Sequence, residues 1–142
     1  MINIYIDTSW SMTEMGKDSA LLYIIKSIED YYDFKSINTT ILALNGSEIN
    51  DLQDIKFSND TQVNIQDIKD NSILLSDALF DIDKENIFDI SIPIGIDADI
   101  FNLQKISKKV FTSDDLLSAL EYLIFEKSLL DTPSEEEDDD EW

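Results

Sequence analysis

The sequence predicts an α/β fold: an open, mainly parallel twisted sheet with helices on both faces. Three observations lead there. Apolar runs of strand length alternate with segments of helical periodicity, the pattern of strand–helix–strand units. The first run, Ile2, Ile4 and Ile6 with Tyr5 between them, is apolar on both sides, as a strand in the middle of a parallel sheet must be. The chain has 142 residues, 43% hydrophobic and 10% aromatic, which suits one domain with a substantial core and is too short for two of ordinary size.

After the first strand, marked by a single polar interruption at Asn3, a polar turn containing Gly16 leads into a helix over 18–32. Leu21, Leu22, Ile25, Ile28 and Tyr32 recur at helical spacing there, and Asp18 or Ser19 can cap its start. Residues 38–44 (NTTILAL) are rich in β-branched side chains and read as the next strand, ended by Asn45-Gly46, with 49–57 as a weaker neighbouring strand returning through a hairpin. The stretch 58–71 is poor in apolar residues and has room for a short helix around Ile65 and Ile68. Ser72–Leu75 is a further strand that breaks at Ser76-Asp77, and 88–96 (FDISIPIGI) another that breaks at Asp97-Ala98-Asp99. A helix over 98–105 places Ile100, Leu103 and Ile106 on one side, 109–112 forms a last strand, and 113–130 a final helix capped by Ser113. Tyr31, Tyr32, Phe34, Tyr122 and Phe125 fall at helical spacing and are expected in the core or against the sheet. Residues 1–130 thus form the domain. Residues 131–142 form an acidic tail expected to be disordered, since a continuous Glu/Asp run repels itself and buries nothing.

Composition removes several classes of function. Without histidine or cysteine the chain has no His-based triad, zinc finger, thiolate nucleophile or disulfide. All ten cations are lysine and only three glycines occur, which argues against bidentate phosphate clamps and glycine-rich phosphate cradles. The formal charge is -21, and the part before residue 131 is itself strongly acidic. Such a field repels nucleic acids and anionic lipid surfaces, and favours a cationic protein or a divalent metal. No run approaches the roughly 18 to 20 apolar residues of a membrane span, and Met1–Asp7 lacks the basic start of a signal peptide. A cytoplasmic location is expected.

One constellation carries chemistry. Asp7-Thr8-Ser9-Trp10-Ser11-Met12 follows the first strand immediately, and in an extended segment alternate residues project the same way. Asp7, Ser9 and Ser11 can then aim a carboxylate and two hydroxyls at one point above the sheet, a start on the oxygen shell of a hard cation. Ligands of open α/β sheets collect at the carboxyl ends of strands where the winding reverses, which makes Asp77 the natural second carboxylate. A cation between two such carboxylates relieves their repulsion. The competing readings are a polar turn that orders the helix entry for Asp7, Ser9 and Ser11, and a solvated turn acid for Asp77. Asp97 and Asp99 read as helix-entry acids favoured by the helix dipole, outside the site. Trp10 is either an exposed aromatic anchor or packed under a loop.

The Asp7-x-Ser9-x-Ser11-Met12 motif, Ser72-Ile-Leu-Leu-Ser-Asp77, Ile92-Pro-Ile-Gly-Ile-Asp97-Ala-Asp99 leading into Phe101-x-Leu103-x-x-Ile106, Val110-Phe111, and Asp114-Asp115-Leu116-x-x-Ala119-Leu120 occur in that order over about residues 1 to 125. Together they resemble the von Willebrand factor type A domain family. The resemblance implies a Rossmann-like fold, shortened between the family's third and fourth strands. It also implies a metal-ion-dependent adhesion site holding Mg²⁺ or Mn²⁺ at Asp7, Ser9, Ser11 and Asp77, with Thr61 standing in for the family's loop threonine. Two positions depart from the family pattern: Ala78 stands where glycine is common, and Trp10 where a small residue is.

The function expected is therefore protein binding without catalysis: the metal accepts a partner carboxylate while Trp10 adds apolar contact. The resemblance implies a partner such as a bacterial AAA+ ATPase, and the net charge a protein with a basic surface. Trp142, closing the acidic run, is similar to the acidic tips of bacterial single-stranded-DNA-binding proteins and is a second candidate contact. The alternative is an acidic decoy that imitates a nucleic-acid backbone and occupies a basic groove of a DNA-handling protein. Metal-dependent hydrolysis at Asp7 and Asp77 lacks a second base or cation to support it.

Overall fold

The computed structural model describes residues 1–57, 68–79 and 84–127. Among them run β1 (Ile2–Ile6), α1 (Lys17–Phe34), β2 (Thr39–Ala43), β3 (Ser72–Ser76), β4 (Phe88–Pro93), α2 (Ile100–Ile106), β5 (Ser107–Val110) and α3 (Leu116–Lys127). The strands form one open five-stranded sheet in the order β2-β1-β3-β4-β5, and every pairing is parallel. This is the α/β architecture that the alternation of strands and helices predicts.

Alternation along the inner strands divides the core in two. Ile4, Ile6, Ile73, Leu75, Ile90 and Ile92 join Leu21, Ile25 and Ile28 of α1 and Leu120 and Leu123 of α3 in one buried cluster. Tyr5 and Leu74 join Leu103 and Ile106 of α2 in the other, where Tyr5 and Phe88 meet edge to face at 5.6 Å. Each such Ile or Leu, once fully buried, stabilises the fold by about 1.5–3 kcal/mol. Tyr32 is buried with them and donates its hydroxyl to the Leu120 carbonyl at 3.0 Å, tying α1 to α3; burial raises its pKa above the ordinary phenol value.

The winding places the site. From β1 the chain crosses to β2 at the edge, then returns past β1 to β3 and continues outward, so its direction reverses between β1 and β3. Register sets Ile6 beside Leu75, and the Asp7 amide donates to the Leu75 carbonyl at 3.0 Å. Asp7, Ser76 and Asp77 therefore leave the sheet side by side at this reversal.

Several local expectations are revised. Residues 49–57 do not return as a strand: after the Asn45-Gly46 turn only Leu42 and Glu48 form an antiparallel bridge, and the chain goes on to a 3-10 turn at Leu52–Asp54. The first helix starts at Lys17 on a left-handed Gly16, so Asp18 and Ser19 lie inside its first turn, where Asp18 Oδ1 accepts the Ser19 amide at 2.9 Å. The last helix begins at Leu116, after a 3-10 turn at Ser113–Asp115, and Thr112 rather than Ser113 stands at the entry of that turn. The last strand covers 107–110 instead of 109–112. Phe34 and Phe125, expected against the core, are 84% and 79% exposed, because each lies in the last turn of its helix, off the covered stripe. Ile68 lies outside any helix. Ile65, Thr61, the tail from 131 and Trp142 lie outside the described residues. No helix among the described residues is long and apolar enough to cross a membrane.

Candidate functional site

The loop after β1 does not stay extended through Ser11, as alternate projection from the motif requires, but turns at Asp7 and Ser9. Asp7 is fully buried and its Oδ1 accepts the Ser9 amide at 2.8 Å, turning the chain so that the Ser9 and Ser11 hydroxyls meet at 3.1 Å. A 3-10 turn at Trp10–Thr13 follows, closed by Thr13 Oγ1 donating to the Trp10 carbonyl at 2.7 Å. Trp10 sits on the outer side of this turn, 54% exposed.

Ser76 links this loop to β3. Its hydroxyl donates to Asp7 Oδ2 at 2.6 Å and accepts the Ala78 amide at 2.7 Å. Ala78 has a left-handed backbone, φ 56°, a conformation that suits glycine and strains alanine. Desolvation pushes the Asp7 carboxyl above its ordinary value, and the charge of Asp77 adds to the rise, against the opposing pull of its bonds from Ser76 and Ser9. Asp7, Ser9, Ser11 and Asp77 are thus brought to one end of the sheet.

What the sequence reading missed is the cation already there. The Lys17 ammonium lies 3.0 Å from Asp77 Oδ2, 2.7 Å from Asp97 Oδ1 and 2.8 Å from Asp97 Oδ2. Lys17 and Asp77 are both buried, whereas Asp97 is partly open to solvent. Burial alone would lower the lysine pKa; hydrogen bonds and charge from Asp97 and Asp77 outweigh it and hold the ammonium above its ordinary 10.5. The other expected helix-entry acid, Asp99, does cap α2: its Oδ1 accepts the Asn102 amide at 3.0 Å. Its own amide donates to the Asp77 carbonyl at 2.8 Å, and Asn102 Nδ2 donates to the Ala78 carbonyl at 2.8 Å. The ends of β1, β3 and β4 are therefore fastened to one another by ion pairs and hydrogen bonds.

Lys17 is the first residue of α1, where the helix dipole favours acids and disfavours a cation, so its side chain needs compensation from elsewhere; a helix expected from 18 leaves Lys17 outside it and hides that need. Asp97 carried no signal either, because acids at a helix entry are common.

A resident divalent ion does not fit this donor set. Asp77, its second carboxylate, is engaged by Lys17, and no three acidic side chains form a metal-ligating group among the described residues. Fold and site together define an open parallel α/β domain with an ion-paired, acidic cluster at its topological switch point. No protein-family model, curated protein or solved structure matches the chain.

Proposed function

We propose that the chain is a non-catalytic protein-interaction module on a von Willebrand A-like plan, with the carboxyl end of the sheet as its binding face. One observation carries this reading. Trp10, Met15, Leu79, Ile96, Ile100 and Phe101 are all exposed large apolar residues, and all lie in the loops or helix entry that follow β1, β3 and β4. Ile96 is 97% exposed in the loop that also supplies Asp97 to Lys17. Aromatic and aliphatic anchors around a rigid, ion-paired base are what a binding face presents.

The partner fitting this face has an apolar patch bordered by lysine or arginine, since the chain carries a formal charge of -21. An AAA+ ATPase is the partner that the von Willebrand A resemblance suggests. Mg²⁺ or Mn²⁺ has no part in the proposal, because Lys17 occupies the second carboxylate.

The test compares capture of proteins by the full chain and by Trp10→Ala and Ile96→Asp variants, with thermal unfolding run beside it. A partner held by the wild type and lost at least tenfold by both variants, at unchanged unfolding midpoint, supports the reading. Equal capture by all three overturns it. The acidic-decoy reading, favoured by the net charge alone, predicts capture that is indifferent to both variants and falls steeply with added salt.

A further inference from the structure

We infer that the Lys17 ammonium is a tethered replacement for a divalent cation at the strand-end site, so that the site forms without metal. Its place is the first support. The ammonium engages Asp77, the second carboxylate of the expected metal set, and ties it to both oxygens of Asp97 on the β4–α2 loop.

The second support is the cost of putting a lysine there. Lysine is almost never fully buried unless paired, yet Lys17 is 1% exposed. It stands at the unfavourable end of the α1 dipole, where Gly16 offers no side-chain cap and Asp18 is the one acid of the first turn. A residue serving the helix alone would be an acid or a small polar group at this position.

The third is the passage made for its stem. Gly95 has φ +91°, and a Cβ built there would come within 2.7 Å of Lys17 Cε and 3.0 Å of its Cδ and Cγ. The β4–α2 loop thus supplies both the space for the methylene chain and, two residues on, the Asp97 carboxylate that receives its end. An ammonium so held differs from a metal ion in one functional respect: its hydrogens are directed to Asp77 and Asp97, and it has no exchangeable water to give up to a partner carboxylate. This inference concerns the cation alone and does not depend on what the face binds.

The test uses the full chain and Mn²⁺, followed by electron paramagnetic resonance of the free ion and by thermal unfolding at constant ionic strength. The wild type is expected to take up no more Mn²⁺ than Asp7→Asn does, since that variant leaves the Lys17 pairs intact while removing the first carboxylate of the expected metal set. Lys17→Ala is expected to gain a Mn²⁺ site and an unfolding midpoint that rises with Mn²⁺, both lost on adding Asp77→Asn. Wild-type uptake that Asp7→Asn abolishes overturns the inference, as does a folded Lys17→Ala that gains no site. Should Lys17→Ala be unfolded without metal, refolding on addition of Mn²⁺ supports the inference and failure to refold overturns it.

Discussion

Asp7 and Asp77 leave neighbouring strands at the same end of the sheet, yet they are compensated differently. Asp77 has the Lys17 ammonium at 3.0 Å; Asp7 has the Ser76 hydroxyl and the Ser9 amide, and no ion pair among the described residues. Desolvation therefore dominates at Asp7 and raises its pKa above 3.8. The folded chain then holds a proton that the unfolded chain releases, so the stability from this group is full below the ordinary value and is lost as pH rises through the folded one. Asp7→Asn has no such loss. Its stability relative to wild type should be higher at pH 7 than at about pH 4, in chemical denaturation at both pH values. A relative stability that stays constant, or falls toward neutrality, would contradict the assignment.

The loop joining β4 to α2 acts with the start of α1 as one unit. Gly95 makes room for the lysine stem, Asp97 binds its head, and Asp99 caps the helix that follows. Gly95→Ala meets two penalties, a left-handed backbone and a clash with a side chain that can move only by stretching its ion pairs. It should cost about 1–3 kcal/mol. In a Lys17→Ala background the clash is gone and only the backbone penalty remains, so the cost should fall by about 0.5 kcal/mol or more, within the usual coupling range of touching residues. Urea unfolding of the four proteins in that cycle measures the coupling, and strict additivity would separate Gly95 from Lys17. Lys17→Ala alone leaves Asp77 buried and unpaired, for which a loss of about 3–5 kcal/mol is expected.

A formal charge of -21 on 142 residues means that much of the surface repels itself. Added sodium chloride screens that repulsion, and raising it from about 20 mM to about 500 mM shortens the Debye length well below typical surface spacings. The unfolding midpoint should therefore rise with salt, by several degrees, and the rise should depend on ionic strength rather than on cation identity. A midpoint that falls with salt would show that exposed pairs such as Lys26–Asp30, at 3.7 Å, outweigh the general repulsion. The same field sets the character of any partner, since a basic surface is drawn to the chain at long range and held there by the apolar side chains around Trp10 and Ile96.

The α/β class, the strand at 2–6 and the apolar runs at 72–75 and 88–96 that hold β3 and β4 were legible from local pattern, since two-sided apolar runs and helical periodicity act over a few residues. β4 nevertheless ends at Pro93, and Ser11 meets Ser9 through a 3-10 turn rather than by projection from an extended segment. The weak second hairpin strand and the exposure of Phe34 and Phe125 were not legible, because periodicity defines a stripe without saying how far along the helix the sheet still covers it. Nor was the ion triad. Lys17 and Asp77 are sixty positions apart and Lys17 and Asp97 eighty, and in a sequence with thirty-one acids no local rule selects which carboxylates will surround which lysine. Only the parallel pairing of β1, β3 and β4 brings their ends together, and only there do two carboxylates stand close enough to offset the hydration that the ammonium loses on burial.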